Sequence, residues 1–198
     1  MWANRPLGPN PCVPETDLLA FEQSHGIRLP DGYRAFLTQV GNGGQWPWLR
    51  VQPFEGIGPL PWRQWDFGVG NLAKPFPHSQ PWNDPSGEPA HPDDPDLEEE
   101  YERLHLIWSE QYFALSLVDG TIPLHDHGCG RRSWLVVNGP LAGTLWFDAR
   151  VDPRGLYPLT DHDGRWLRFL EWVLLRVDAA RRNLRRERTR PLSNSMDS

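Results

Sequence analysis

An α+β fold, with two N-terminal helices and a C-terminal helix packed on a mainly antiparallel sheet, is predicted by three observations along this chain. Two short segments near the start carry helix punctuation at both ends. Four short apolar or alternating segments, near 48–54, 120–125, 133–138 and 144–149, have the length and turn-rich flanks of strands. A last run, from Trp166 to Val177, repeats its apolar residues with a helical period.

The first helix opens at Pro14, places Glu15 and Asp17 at the positive end of its dipole, turns Leu18 and Phe21 inward and stops at Gly26. Pro30 opens the second, because the amide it lacks would be unpaired in the first turn and its φ is already helical. Tyr33, Phe36, Leu37 and Val40 then share one face. Gly41 stands where a helix commonly ends in a left-handed residue, and Asn42-Gly43-Gly44 tolerate positive φ. Trp48 to Phe54 alternates as a first strand, ended by Gly56 and Gly58.

Between Pro59 and Pro95 prolines and glycines are too dense for regular structure. Trp62, Trp65, Phe67, Phe76 and Trp82 nevertheless mark a loop that packs against the body, its tryptophans serving as core plugs or as interface anchors. Asp94 and Pro95 read as N-cap and N1 of a helix whose Leu97, Tyr101, Leu104 and Trp108 form an apolar stripe. Strands follow to Asp148. The final helix turns Trp166, Phe169, Leu170, Val173, Leu174 and Val177 to a core and runs into Arg181, Arg182, Arg185, Arg186, Arg188 and Arg190, cations that suit its negative end. The polar tail past Pro191 is expected to be disordered.

Residues 18–44 carry the pattern LxxFExxxGIxLPxxYRxFLxxxGNGG, and this resembles the start of the SUKH superfamily, which includes Smi/Knr-type cell-wall regulators and many bacterial immunity proteins. The likeness continues through Ile122-Pro123-Leu124-His125-Asp126-His127-Gly128-Cys129-Gly130, Trp134-Leu135-Val136-Val137 and Gly143-Thr144-Leu145-Trp146-Phe147-Asp148, then a closing FLEWVL helix at Phe169 to Leu174. It frames residues 14 to 178. The organisation expected is an N-terminal extension over 1–13, one SUKH-like domain over 14–180 with 59–95 as a proline-rich insertion, and an arginine-rich helix end and tail over 181–198. The resemblance also implies that the Gly128-Cys129-Gly130 turn is structural, with the cysteine as a small buried apolar group.

A chain of 198 residues suits a single domain. Eleven tryptophans supply large side chains to bury, while 21 prolines and 18 glycines argue against a helical bundle. No apolar stretch follows Arg5, and no apolar run approaches the roughly 20 residues of a membrane span, so a soluble, cytoplasmic protein is expected. Cys12 and Cys129, far apart in the chain, are expected to be reduced thiols. Charge is unevenly spread. Residues 84–110 hold ten acids against Arg103 alone, in a chain whose net charge is only −6. Such a segment is a solvated face or a docking surface for a basic partner.

On a strand, His125, His127 and Cys129 would share a side, and imidazole and thiolate are good zinc ligands. A zinc site draws further ligands from a second segment, and no Cys-x-x-Cys or His-x-x-x-His supplies them. A Cys129 nucleophile would need His127 within hydrogen-bond reach and a third group to orient it. The carboxylates from Asp93 to Glu102 could in principle provide an acid/base pair. Gly41-Asn42-Gly43-Gly44 lacks the Gly-Lys-Ser/Thr ending of a phosphate loop. The terminal arginines lack the interleaved aromatics of a nucleic-acid surface.

No catalytic residue, metal or cofactor is therefore expected, and no direct nucleic-acid or membrane partner. The resemblance implies a non-enzymatic binding protein, an immunity protein that neutralises a cognate toxin, frequently one acting on nucleic acid. Its docking surface is expected at Asp93, Asp94, Asp96, Glu98, Glu99, Glu100 and Glu102, or else at Trp62, Trp65 and Trp82. A Smi/Knr-like regulator or scaffold without a toxin partner is the alternative. An enzyme using the acidic segment or the His125–Cys129 turn is the third class.

Overall fold

The computed structural model describes residues 7–54, 68–152 and 154–189, and it has the α+β architecture that the sequence predicts. Among the described residues four α-helices, α1 (Glu15–His25), α2 (Asp31–Gln39), α3 (Glu98–Tyr112) and α4 (Phe169–Thr189), accompany two antiparallel sheets. The smaller sheet joins β1 (Gly8–Pro9), β2 (Gly44–Gln45) and β3 (Arg50–Val51). The larger is a meander of β4 (Thr121–Gly128), β5 (Arg131–Val136), β6 (Leu145–Ala149) and β7 (Gly155–Pro158). Gln52 donates its N–H to the carbonyl of Leu124 at 2.7 Å and so ties the small sheet to the edge of the large one.

Side-chain alternation along the meander feeds two cores. Ile122, Leu135 and Leu145 lie in one cross-strand row, and they join Leu18, Phe21, Tyr33, Phe36 and Phe169 from the helices. Trp134 and Trp146 pair in the next row, face the other way and pack with Phe76, Val118 and Leu156. Burying each such side chain contributes roughly 1.5–3 kcal/mol. Helices α1, α2 and α4 therefore pack on one face of the sheet, and Phe76 and Trp82, from the described part of the proline-rich loop, pack on the other.

The N-terminal helices follow their sequence signals closely. Gly26 caps α1 in the left-handed conformation with φ 63°, donating to the carbonyls of Gln23 and Glu22. Glu22, nearly buried, accepts the N–H of Leu29 at 2.7 Å and meets Arg34 of α2 at 2.7 Å, while Arg34 also pairs with Glu15. These contacts fix the angle between α1 and α2. The stretch before α1 is tied in as well: Asn10 and Val13 donate to the carbonyls of Gly43 and Leu37, and Asn42 donates to that of Pro11.

Several expectations are corrected. The strand expected over 48–54 is only the two residues of β3, set in the small sheet, because Pro53 has no N–H to continue a ladder. The left-handed glycine after α2 is Gly43, with φ 65°, and not Gly41; a Cβ at Gly43 would sit 2.6 Å from the carbonyl oxygens of Val51 and Gln52. Val40 is 49% exposed and Leu174 62%, so neither joins the core. Leu170 is also largely exposed and lies over Gly32, at the rim of α2, where the missing side chain lets it approach. β7 was not anticipated at all. Among the described residues no helix is long and apolar enough to cross a membrane.

Candidate functional site

The acidic segment begins with Asp94, whose side chain accepts the N–H of Asp96 at 3.0 Å and caps a 3₁₀ turn over Pro95–Leu97. That turn runs directly into α3. Asp93, Asp94, Asp96, Glu99, Glu100 and Glu102 are exposed, and Glu98 is half-buried beside His91, 3.6 Å away. Arg103 grips Glu100 through two hydrogen bonds of 2.8 and 2.7 Å and holds its carboxyl below the usual range. Asp93, Asp96, Glu99 and Glu102 present their charge to solvent.

α3 does not bury the expected stripe. Tyr101 and Trp108 face the body, but Leu97 is 53% exposed and Leu104 40%, and Leu106 and Ile107 are exposed with them. The inner face is an aromatic ladder instead. His91, Tyr101, His105, Trp108 and Tyr112 follow one another with ring centroids 4.8 to 5.5 Å apart, and Trp108 stacks on Tyr112 at 16°. Planar rings hold the helix one layer away from the core and leave its aliphatic side chains outside. A signal for this lay in Leu104-His105-Leu106-Ile107, since successive helical residues point about 100° apart and no single neighbour can cover them all.

Trp82 is a plug. Its N–H and carbonyl pair with the carbonyl and N–H of Leu156 at 2.8 and 2.7 Å, closing the outer edge of β7. Its ring lies 5.5 Å from those of His78 and Tyr112. Trp62 and Trp65 lie outside the described residues. The C-terminal end of α3 is anchored by Arg150, which donates to the carbonyls of Tyr112 and Ala114 while paired with Asp148. Arg150 does not stand out in the sequence, because the carbonyls of Tyr112 and Ala114 that it reaches are distant in the chain.

The His125–Cys129 stretch is the end of β4 and its hairpin turn. Gly128, Cys129 and Gly130 all have positive φ, and Asp126 accepts the N–H of Gly128 at 2.8 Å. Cys129 is exposed, which corrects the buried role implied by the resemblance; Cys12 and Cys129 are both free. Register shifts in β4 bring the rings of His125 and His127 to 4.2 Å, and Nε2 of His127 lies 2.8 Å from the Ser133 hydroxyl. Burial and then the neighbouring His125 push the His127 imidazole down to about 4; burial and then Arg50 lower His125. Among the described residues no group of three His, Cys, Asp or Glu side chains is placed to hold a metal ion.

No protein-family model, curated protein or solved structure matches this chain. The character of the surface rests on its own residues. A carboxylate-rich helix with aliphatic side chains between its charges is suited to holding a cationic protein face, the charges steering encounter and the aliphatic groups losing water on contact.

Proposed function

We propose that this chain is a non-enzymatic binding protein that neutralises a cognate protein toxin by laying α3 on the toxin's cationic face. The observation that carries this reading is the joint exposure of the carboxylates of α3 with Leu104 and Ile107 on the helix and Leu97 in the turn before it. A toxin that acts on nucleic acid presents positive charge to its substrate, and carboxylates compete for that charge. The likeness of the sequence to SUKH immunity proteins supports the same class. In the test, the tagged chain is co-expressed with the product of the adjacent gene, and the association rate of the pair is measured against ionic strength. Replacing Glu98, Glu99, Glu100 and Glu102 together by Gln should slow association and flatten its salt dependence. Association at the wild-type rate at low ionic strength would overturn the role of α3.

A further inference from the structure

A cavity of about 520 Å³ opens where the first turns of α2 and α4 meet the loop between β5 and β6. Arg28 to Tyr33 line it from the start of α2, Ala142 and Gly143 from the loop, and Arg168 to Glu171 from the start of α4. Its volume is within the range of small-molecule sites. The two helices pack closely here: Leu170 lies over Gly32, and the rings of Tyr33 and Phe169 meet edge to face at 4.9 Å.

Several polar groups around this cavity are without partners. Pro30 accepts the N–H groups of Tyr33 and Arg34, Gly143 accepts that of Phe169, and the Glu171 carboxylate accepts that of Arg168. The N–H groups of Asp31, Gly32, Leu170 and Glu171 find no acceptor among the described residues. Tyr33 is a second and independent sign of a ligand. It is 1% exposed, yet its hydroxyl makes no hydrogen bond among the described residues, whereas buried hydroxyls are nearly always satisfied. Helical side chains lean toward the N-terminus of their helix, which carries this hydroxyl to the start of α2, where the cavity lies. It is not one of the unpartnered side-chain atoms shut off from solvent, so a molecule in the cavity can touch it. Burial pushes the hydroxyl well up, and it stays a neutral donor.

Charge decides the kind of ligand. Arg28 is matched by Asp31 at 3.0 Å, and Arg168 and Glu171 bring one charge of each sign. Each helix start adds about half a positive charge, so the lining sums to about one. A single carboxylate neutralises it, whereas a phosphate dianion would exceed it and meet the Glu171 carboxylate as well. We infer that this cavity binds a small monocarboxylic acid with an apolar body. The Arg168 guanidinium, whose Nη1 lies 3.2 Å from the place a Cβ on Gly143 would take, and the unpaired N–H groups are charge-assisted donors to its oxygens. The Tyr33 hydroxyl is a further donor, and Leu29, Pro30, Ala142 and Phe169 offer apolar surface to the rest of the acid. α3 supplies no lining residue, so acid binding stands or falls independently of toxin docking.

The full chain is titrated with hexanoate, with acetate and with inorganic phosphate in separate experiments, at neutral pH and constant ionic strength set by chloride, while the amide resonances are followed by NMR. Saturable shifts centred on 28–33, 142–143 and 168–171 are expected, with hexanoate bound about tenfold more tightly than acetate because its longer chain leaves water. Arg168 is exposed, and Arg168→Gln should weaken hexanoate binding about tenfold while leaving the spectrum that of a folded protein. Tyr33→Phe keeps the ring against Phe169 and should weaken it about fivefold, where a hydroxyl with only a structural role would leave affinity unchanged. Absence of saturation by hexanoate, shifts centred elsewhere, tighter binding of phosphate than of hexanoate, or unchanged affinity in either variant overturns the assignment.

Discussion

Arg150 holds Asp148 through two hydrogen bonds, Nε to Oδ1 at 2.9 Å and Nη2 to Oδ2 at 2.7 Å, with both side chains almost wholly buried. Asp148 also accepts the indole N–H of Trp134 at 3.2 Å, and the remaining nitrogen of Arg150 reaches the end of α3. A charge pair between residues two apart on the chain thus joins the centre of the sheet to the helix proposed to dock. Replacing Arg150 by Met leaves a buried carboxylate without its counter-ion, and the loss of stability should be about 3–5 kcal/mol. Chemical denaturation measures it, and a midpoint equal to that of the wild type would show that the pair and the fold are uncoupled.

Leu104 and Ile107 on α3 are exposed and belong to neither core. Leu104→Gln combined with Ile107→Gln keeps helix propensity and should change stability by no more than about 0.5 kcal/mol. The same variant should lose retention of the toxin in a pull-down. Full retention would remove the aliphatic groups from the docking surface.

Gly155 has φ 67°, and a Cβ there would run into the carbonyl oxygen of Trp82. Gly164 has φ 81° with nothing within 4 Å of the same position. Gly164→Ala should therefore cost only backbone strain, about 1 kcal/mol. Gly155→Ala should cost clearly more, because it also pushes the Trp82 segment off the edge of β7. Equal thermal shifts for the two variants would show that the Trp82–Leu156 pairing adds nothing.

Stability should fall as pH drops from about 6.5 toward 4. His125 and His127 have folded pKa values below the ordinary imidazole value, so in that window the unfolded chain binds more protons than the folded one. Above the window all these imidazoles are neutral and the effect is absent. Asp152, whose pKa is depressed chiefly by its hydrogen bond from Arg131, acts at lower pH. His127→Gln should flatten the decline between pH 6.5 and 4, and an unchanged slope by denaturation at several pH values would show that this imidazole does not contribute.

What the sequence determined by itself was local. Pro14 and Gly26 bounded α1, Pro30 opened α2, Asp94 capped the turn before α3, and the short segments near 120–125 and 133–138 marked two strands, because each signal lies in the dihedral preferences or side-chain spacing of consecutive residues. The acidic run was equally plain from composition. Tertiary structure alone decided which apolar residues were covered: Leu97 and Leu104 are exposed while Tyr101 and Trp108 take the half-buried positions of α3, and Leu174 is exposed because only one stripe of α4 meets the sheet and α2. It also decided the pairing of Trp82 with Leu156 and the meeting of Tyr33, Gly143 and Arg168 around one cavity. Those residues are remote in sequence, and burial is a property of what packs against a side chain, which a local pattern does not contain.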